Sequence, residues 1–192
     1  MDSPLIIALD LEPNEVLKFV KKIDPSDCQL KIGNQLFTSQ GPDIVKRLQD
    51  NGFKVFLDLK YHDIPNTVYL AVSSALDLDV WMLNVHATGG EDMLRSAAQA
   101  KRESNKETIL LGVTVLTSLD DKSLSKIGFG LPSKDLASST NPLVSLFRFY
   151  RNQRFLLYFI RAAELLVGVF GLGLMSLVGL ALAPDMARRL TA

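Results

Sequence analysis

Apolar positions in the first 130 residues follow two alternating patterns. Short, largely apolar runs at 5–10, 28–32, 55–59, 80–86 and 108–116 are separated by stretches in which apolar residues recur at helical spacing. Near-continuous apolar runs of this length predict strands buried on both faces, as in a parallel sheet. After the first run, Val16, Leu17, Phe19, Val20 and Ile23 form a stripe that predicts a helix over Glu15–Ile23. Pro42 marks the start of another helix, with Ile44, Val45 and Leu48 inward and Asn51-Gly52 at its end. Further helices are expected over 66–76, 91–102 and 120–127, with Asn66 as cap of the first and a Thr88-Gly89-Gly90 turn before the second.

The predicted strands end near residues 10, 31, 59, 86 and 115, a spacing of roughly 21–29. Strand and helix alternating at this interval argue for an α/β fold on a parallel sheet. No Gly-x-Gly-x-x-Gly follows the first strand, which disfavours a doubly wound dinucleotide fold. The expected architecture is therefore that of the (β/α)8 TIM-barrel family, here about five βα units. Polar residues collect where the strands end: Asp10, Lys31, Asp58, Lys60, His86 and Thr117. In such barrels that end carries the active site.

The densest chemistry lies in Val55 to Tyr69. Asp58, Lys60 and Asp63 crowd the end of an apolar strand and the loop after it, before Pro65 and Asn66 open a helix. Buried charges are costly unless they answer one another, so this triplet marks a candidate site. The alternative is a solvated ion-pair cluster, and for Lys31 a snorkelling edge residue. His62 reads equally as a packing or a functional residue, His86 as a hydrogen-bonded structural histidine, and Trp81 and the phenylalanines as core.

Composition adds exclusions. Lys plus Arg and Asp plus Glu are 21 each, so charge points to neither nucleic acid nor acidic partners. The single cysteine, Cys28, has no internal disulfide partner and reads as a reduced core residue, which fits a cytoplasmic protein. The apolar run between Asp2 and Asp10 is too short for a signal peptide. Two histidines and one cysteine, widely spaced, give no metal-ligand pattern.

The segments Ala8-Leu-Asp10, Leu30-Lys-Ile-Gly33, Asp58-Leu-Lys-Tyr-His-Asp-Ile-Pro-Asn-Thr67, Asn84-Val-His-Ala-Thr-Gly-Gly90 and Gly112-Val-Thr-Val-Leu-Thr-Ser118, in this order, resemble orotidine 5'-phosphate decarboxylases. The Asp-x-Lys-x-x-Asp core is shared with related sugar-phosphate lyases; Ile64-Pro-Asn-Thr67 and the other segments make the likeness specific. The resemblance spans about Leu5 to Leu136. It implies a cofactor-free and metal-free decarboxylation of orotidine 5'-phosphate to UMP, within pyrimidine synthesis. Lys60 would protonate C6, Asp58 would face the substrate carboxylate, and Lys31 and Asp63 would complete an alternating charge array. Asp10 and Lys31 would bind ribose hydroxyls, and Thr117 the pyrimidine. Asp63 and Thr67 would reach the neighbouring subunit's site, which implies a homodimer.

Composition changes abruptly near residues 136–143. All 12 lysines lie at or before Lys134, whereas six of the nine arginines follow residue 142. The family's phosphate-gripping segments, a Thr-Pro-Gly-Ile-Arg-like loop and an Ile-Gly-Arg-Pro-like strand end, have no counterpart here. Remote phosphate binding drives chemistry as well as affinity, so this chain by itself is expected to be inactive or nearly so. The expected division is 1–136 partial barrel, 137–164 arginine-rich connector, 165–184 apolar helix and 185–192 tail. Leu165 to Pro184 carries no charge over 20 residues, enough to cross a bilayer core of about 30 Å. A membrane anchor, a buried helix pair and the product of a frameshift or gene-model join all remain open readings of this tail. The competing functional readings are a sugar-phosphate lyase, which a magnesium requirement would favour, and a non-catalytic half-barrel on a membrane helix.

Overall fold

The computed structural model describes residues 5–114, 116, 118–130 and the backbone of 160–161. Thr117 and the apolar segment 165–184 lie outside the described residues. Those described fall into two compact units, one up to Asp58 that also takes in 160–161, and one from Leu59 onward.

The first unit holds β1 (Ile6–Ala8), α1 (Pro13–Val20), β2 (Gln29–Gly33), α2 (Asn34–Gln40), α3 (Asp43–Asp50) and the start of β3 (Val55–Tyr61). Its strands are parallel, with Ala8 opposite Lys31 and Gly33 opposite Asp58. Ile6–Ala8, Gln29–Ile32 and Val55–Asp58 are buried throughout, the near-continuous burial expected of parallel strands covered on both faces. Val16, Phe19 and Val20 of α1 and Ile44, Val45 and Leu48 of α3 are the buried stripes that cover them. The sequence pattern does not reveal α2, because only Leu36 of its seven residues is buried and no apolar stripe forms. Gly41, at φ +65°, ends that helix in a backbone conformation that glycine adopts without cost. Ile160–Arg161 form a two-residue strand, β6, parallel to β1.

The second unit takes in the end of β3, then α4 (Pro65–Leu76), β4 (Met82–His86), α5 (Glu91–Ser104), β5 (Ile109–Val113) and α6 (Asp121–Lys126). β4 and β5 are parallel, in register from Met82 opposite Ile109 to His86 opposite Val113. α4 packs on α5; Val68, Val72, Ala75 and Leu76 are the buried residues of the first helix, and Met93, Leu94, Ala97 and Ala100 those of the second. Asp120 caps α6 by accepting the Ser123 N–H at 2.7 Å.

Three details differ from the pattern-based expectation. β3 continues to Tyr61, so Lys60 belongs to the strand and not to the loop after it. Asn66 does not cap α4; Ile64 holds the cap position and Pro65 the first helical turn, because proline's missing N–H and fixed φ suit that turn. Trp81 is half-buried, whereas Phe19, Phe53 and Phe56 are core. Cys28 is a free, buried core thiol immediately before β2. Burial, with Asp27 and Asp24 adding to it, pushes its pKa up to about 12. We expect Cys28 in the native chain to react with thiol reagents at pH 8 at least ~100-fold more slowly than in denaturant, because the thiolate is the nucleophile. Equal rates in the two states would show that the thiol is not enclosed.

Candidate active site

In the first unit, β2 and β3 bring Lys31 and Asp58 together. Side chains two apart on a strand share a face, so Lys31 shares its face with Gly33, and Gly33 stands opposite Asp58. With no side chain at Gly33, Lys31 reaches along the ladder to Asp58, closing an ion pair of 3.1 Å between Nζ and Oδ2. A Cβ at Gly33 would stand 3.7 Å from that Nζ. Both charges are buried, Lys31 at 7% and Asp58 at 6% exposure. Desolvation at that depth costs several kcal/mol per ion, and each charge makes the other tolerable. Asp10 is exposed just past β1.

In the second unit, Lys60 is the distinctive residue. Its φ is +52° inside a strand, a left-handed conformation that costs a residue with a Cβ about 1–2 kcal/mol. Its N–H donates to Asn84 Oδ1 at 2.8 Å, and Asn84 is buried within β4. Lys60, His62, Asp63 and Thr67 line a cleft of about 300 Å³ with Val68 and Ala71. Asp63 is exposed and accepts the Ile64 N–H at 2.7 Å. Thr67, also exposed, stands on the first turn of α4.

His62 stacks on His86, with ring centroids 5.4 Å apart and planes at 28°. His86 ends β4 on the same face as Asn84, and its Nδ1 lies 3.4 Å from Thr88 Oγ1. Gly89 leaves room for the stack, since a Cβ there would collide with Met93 and stand 3.2 Å from the His62 ring. Burial, then the neighbouring His62, then Lys60 hold the His86 pKa below its ordinary 6.5. Burial raises the Tyr61 phenol. Among the described residues, no group of three or more His, Cys, Asp or Glu side chains could hold a metal ion.

The sequence reading named Lys31, Asp58, Lys60, Asp63 and Thr67 but gave no role to Asn84. The available signal was an amide interrupting the apolar run Val80–Val85. The lowered His86 pKa predicts a pH effect of definite sign. The unfolded chain binds that proton more readily, so stability is full above pH 6.5 and falls as pH drops through the folded midpoint. We expect the His86 midpoint, read by NMR, to lie below 6.5 and to rise in His62→Gln. A midpoint at or above the ordinary value would contradict this electrostatic account.

Comparison with known proteins bears on the family. The family model described as orotidine 5'-phosphate decarboxylase / HUMPS family matches residues 3–137. A Glaesserella parasuis orotidine 5'-phosphate decarboxylase is 54% identical over 130 residues, covering 67% of this chain and 56% of the relative. Its Escherichia fergusonii counterpart is 51% identical over 129 residues, covering 66% and 53%. The chain thus spans about half the length of the curated relatives it matches. The crystal structure of the Lactobacillus acidophilus orotidine 5'-phosphate decarboxylase is similar at a TM-score of 0.65 and 39% identity, over 70% of this chain and 63% of that one. An uncharacterized conserved protein from Geobacillus kaustophilus gives 0.68 and 32%, over 74% and 69%. With its model matched over most of the chain, and the parallel strand–helix alternation to go with it, this protein belongs to the orotidine 5'-phosphate decarboxylase / HUMPS family.

Proposed function

We propose that residues 3–137 carry the catalytic array of an orotidine 5'-phosphate decarboxylase, releasing carbon dioxide from orotidine 5'-phosphate to leave UMP. The observation that carries this reading is the buried Lys31–Asp58 ion pair, whose Asp58 opens the family's Asp-x-Lys-x-x-Asp segment. In the reaction the bond between C6 and the carboxylate carbon breaks, carbon dioxide departs, and the electron pair stays on C6. The Lys60 ammonium stabilises that charge and delivers its proton to C6; solvent then reprotonates the amine. Asp58 faces the substrate carboxylate, a like-charge contact that vanishes as carbon dioxide leaves. Asp10 and Lys31 hold ribose hydroxyls, and Thr117 meets the pyrimidine.

Asp63 and Thr67 serve a second copy of the chain, and the working form is a homodimer. Their exposure, together with Ile64 at 66% and Leu70 at 56% exposure on the same segment, supports that reading, since exposed apolar clusters mark interaction surfaces. A cytoplasmic setting fits a biosynthetic nucleotide enzyme. Among the described residues, no helix is long and apolar enough to cross a membrane.

The test is release of labelled carbon dioxide from carboxyl-labelled orotidine 5'-phosphate by the full chain beside Lys60→Ala. We expect slow release above the uncatalysed background, because the family's phosphate-gripping segments are not recognisable here. Lys60→Ala should abolish it, lowering the rate by at least about a hundredfold. Release unaffected by the substitution, or none above background from folded chain, would contradict the proposal.

A further inference from the structure

Asn84 is buried at 2% exposure on β4, and its Oδ1 accepts the Lys60 N–H at 2.8 Å. Two other non-glycine residues, Asp79 and Asn105, have positive φ. Asn105 follows α5 as its C-cap, and Asp79 closes the turn after α4, places where such a backbone is commonplace. Lys60 is the last but one residue of β3 and still within the strand, where continuing β geometry would aim its side chain elsewhere. Left-handed backbone persists at a residue with a Cβ only where the surroundings over-determine it. A buried amide oxygen accepting that N–H at 2.8 Å is such a determinant, because breaking a buried hydrogen bond is costly.

We infer that Asn84 is a positioning residue for Lys60: by holding the Lys60 N–H it fixes the left-handed backbone that directs the lysine side chain into the cleft. Its role is to position Lys60, not to touch a reacting atom. The catalytic meaning of that direction rests on the decarboxylase reading above; the structural coupling does not. An asparagine suits the task because its side-chain oxygen accepts a hydrogen bond without adding a charge beside the ammonium.

Amide hydrogen exchange in the full chain reads the bond directly. Asn84→Ala is expected to speed exchange at the Lys60 amide by about tenfold or more relative to the Leu59 and Tyr61 amides. Asn84→Asp retains an acceptor oxygen and should keep Lys60 exchange near that of the unsubstituted chain. Where Asn84→Ala fails to fold, the double variant Lys60→Gly/Asn84→Ala should fold, because glycine adopts positive φ without cost. The proposal is overturned if Lys60 exchange is unchanged, if it rises equally at Leu59 and Tyr61, or if the double variant also fails to fold. None of these readouts needs turnover. A chain inert towards orotidine 5'-phosphate would sink the decarboxylase reading and leave the exchange result to decide this one.

Discussion

The buried ion pair between Lys31 and Asp58 constrains the first unit more than any single apolar contact. Two opposite charges at the carboxyl ends of adjacent parallel strands are costly to desolvate, and each is retained because the other is 3.1 Å away. Their meeting depends on strand register, since Asp58 is opposite Gly33 and Lys31 precedes that glycine by two residues. A slip of one residue would turn Lys31 to the other face of the sheet. The apolar packing of β1, β2 and β3 with α1 and α3 therefore fixes a charge pair in place, and the pair in turn penalises any other register. A site assembled this way is organised before substrate arrives, which is what electrostatic stabilisation of a developing charge requires.

In the second unit the same economy takes a different form. Lys60 holds an unfavourable backbone conformation, and the energy that sustains it comes from its surroundings, including the buried amide of Asn84. Local strain of this kind gathers at functional sites because a lysine aimed by the backbone loses less freedom when it acts. His62 stacks on His86 in the same unit, and burial, then His62, then Lys60 hold the His86 pKa below its ordinary value.

Much of this was legible in the sequence. Largely apolar runs located β1 to β5, and the charged residues near their ends pointed to the candidate site, because parallel strands bury both faces and concentrate polarity at their tips. Family motifs then turned Asp58, Lys60 and Asp63 from an ion-pair cluster into a reaction. Other features were not legible. α2 buries a single residue, so no periodicity announces it. The strand status and left-handed φ of Lys60 depend on a partner 24 positions away in the chain, which local propensity does not register. Asn66 lost the cap position because Pro65 set the first turn of α4.

The coupling between Lys31 and Asp58 is the quantity on which the account stands, and a double-mutant cycle in urea unfolding measures it. Lys31→Met and Asp58→Asn should each destabilise the chain by about 3–5 kcal/mol, since each removes one partner of a buried ion pair. The double variant removes both charges, and should be less destabilised than the sum of the two by at least about 2 kcal/mol. Additive effects would mean that the two charges do not support one another, and would contradict a site organised around their pairing.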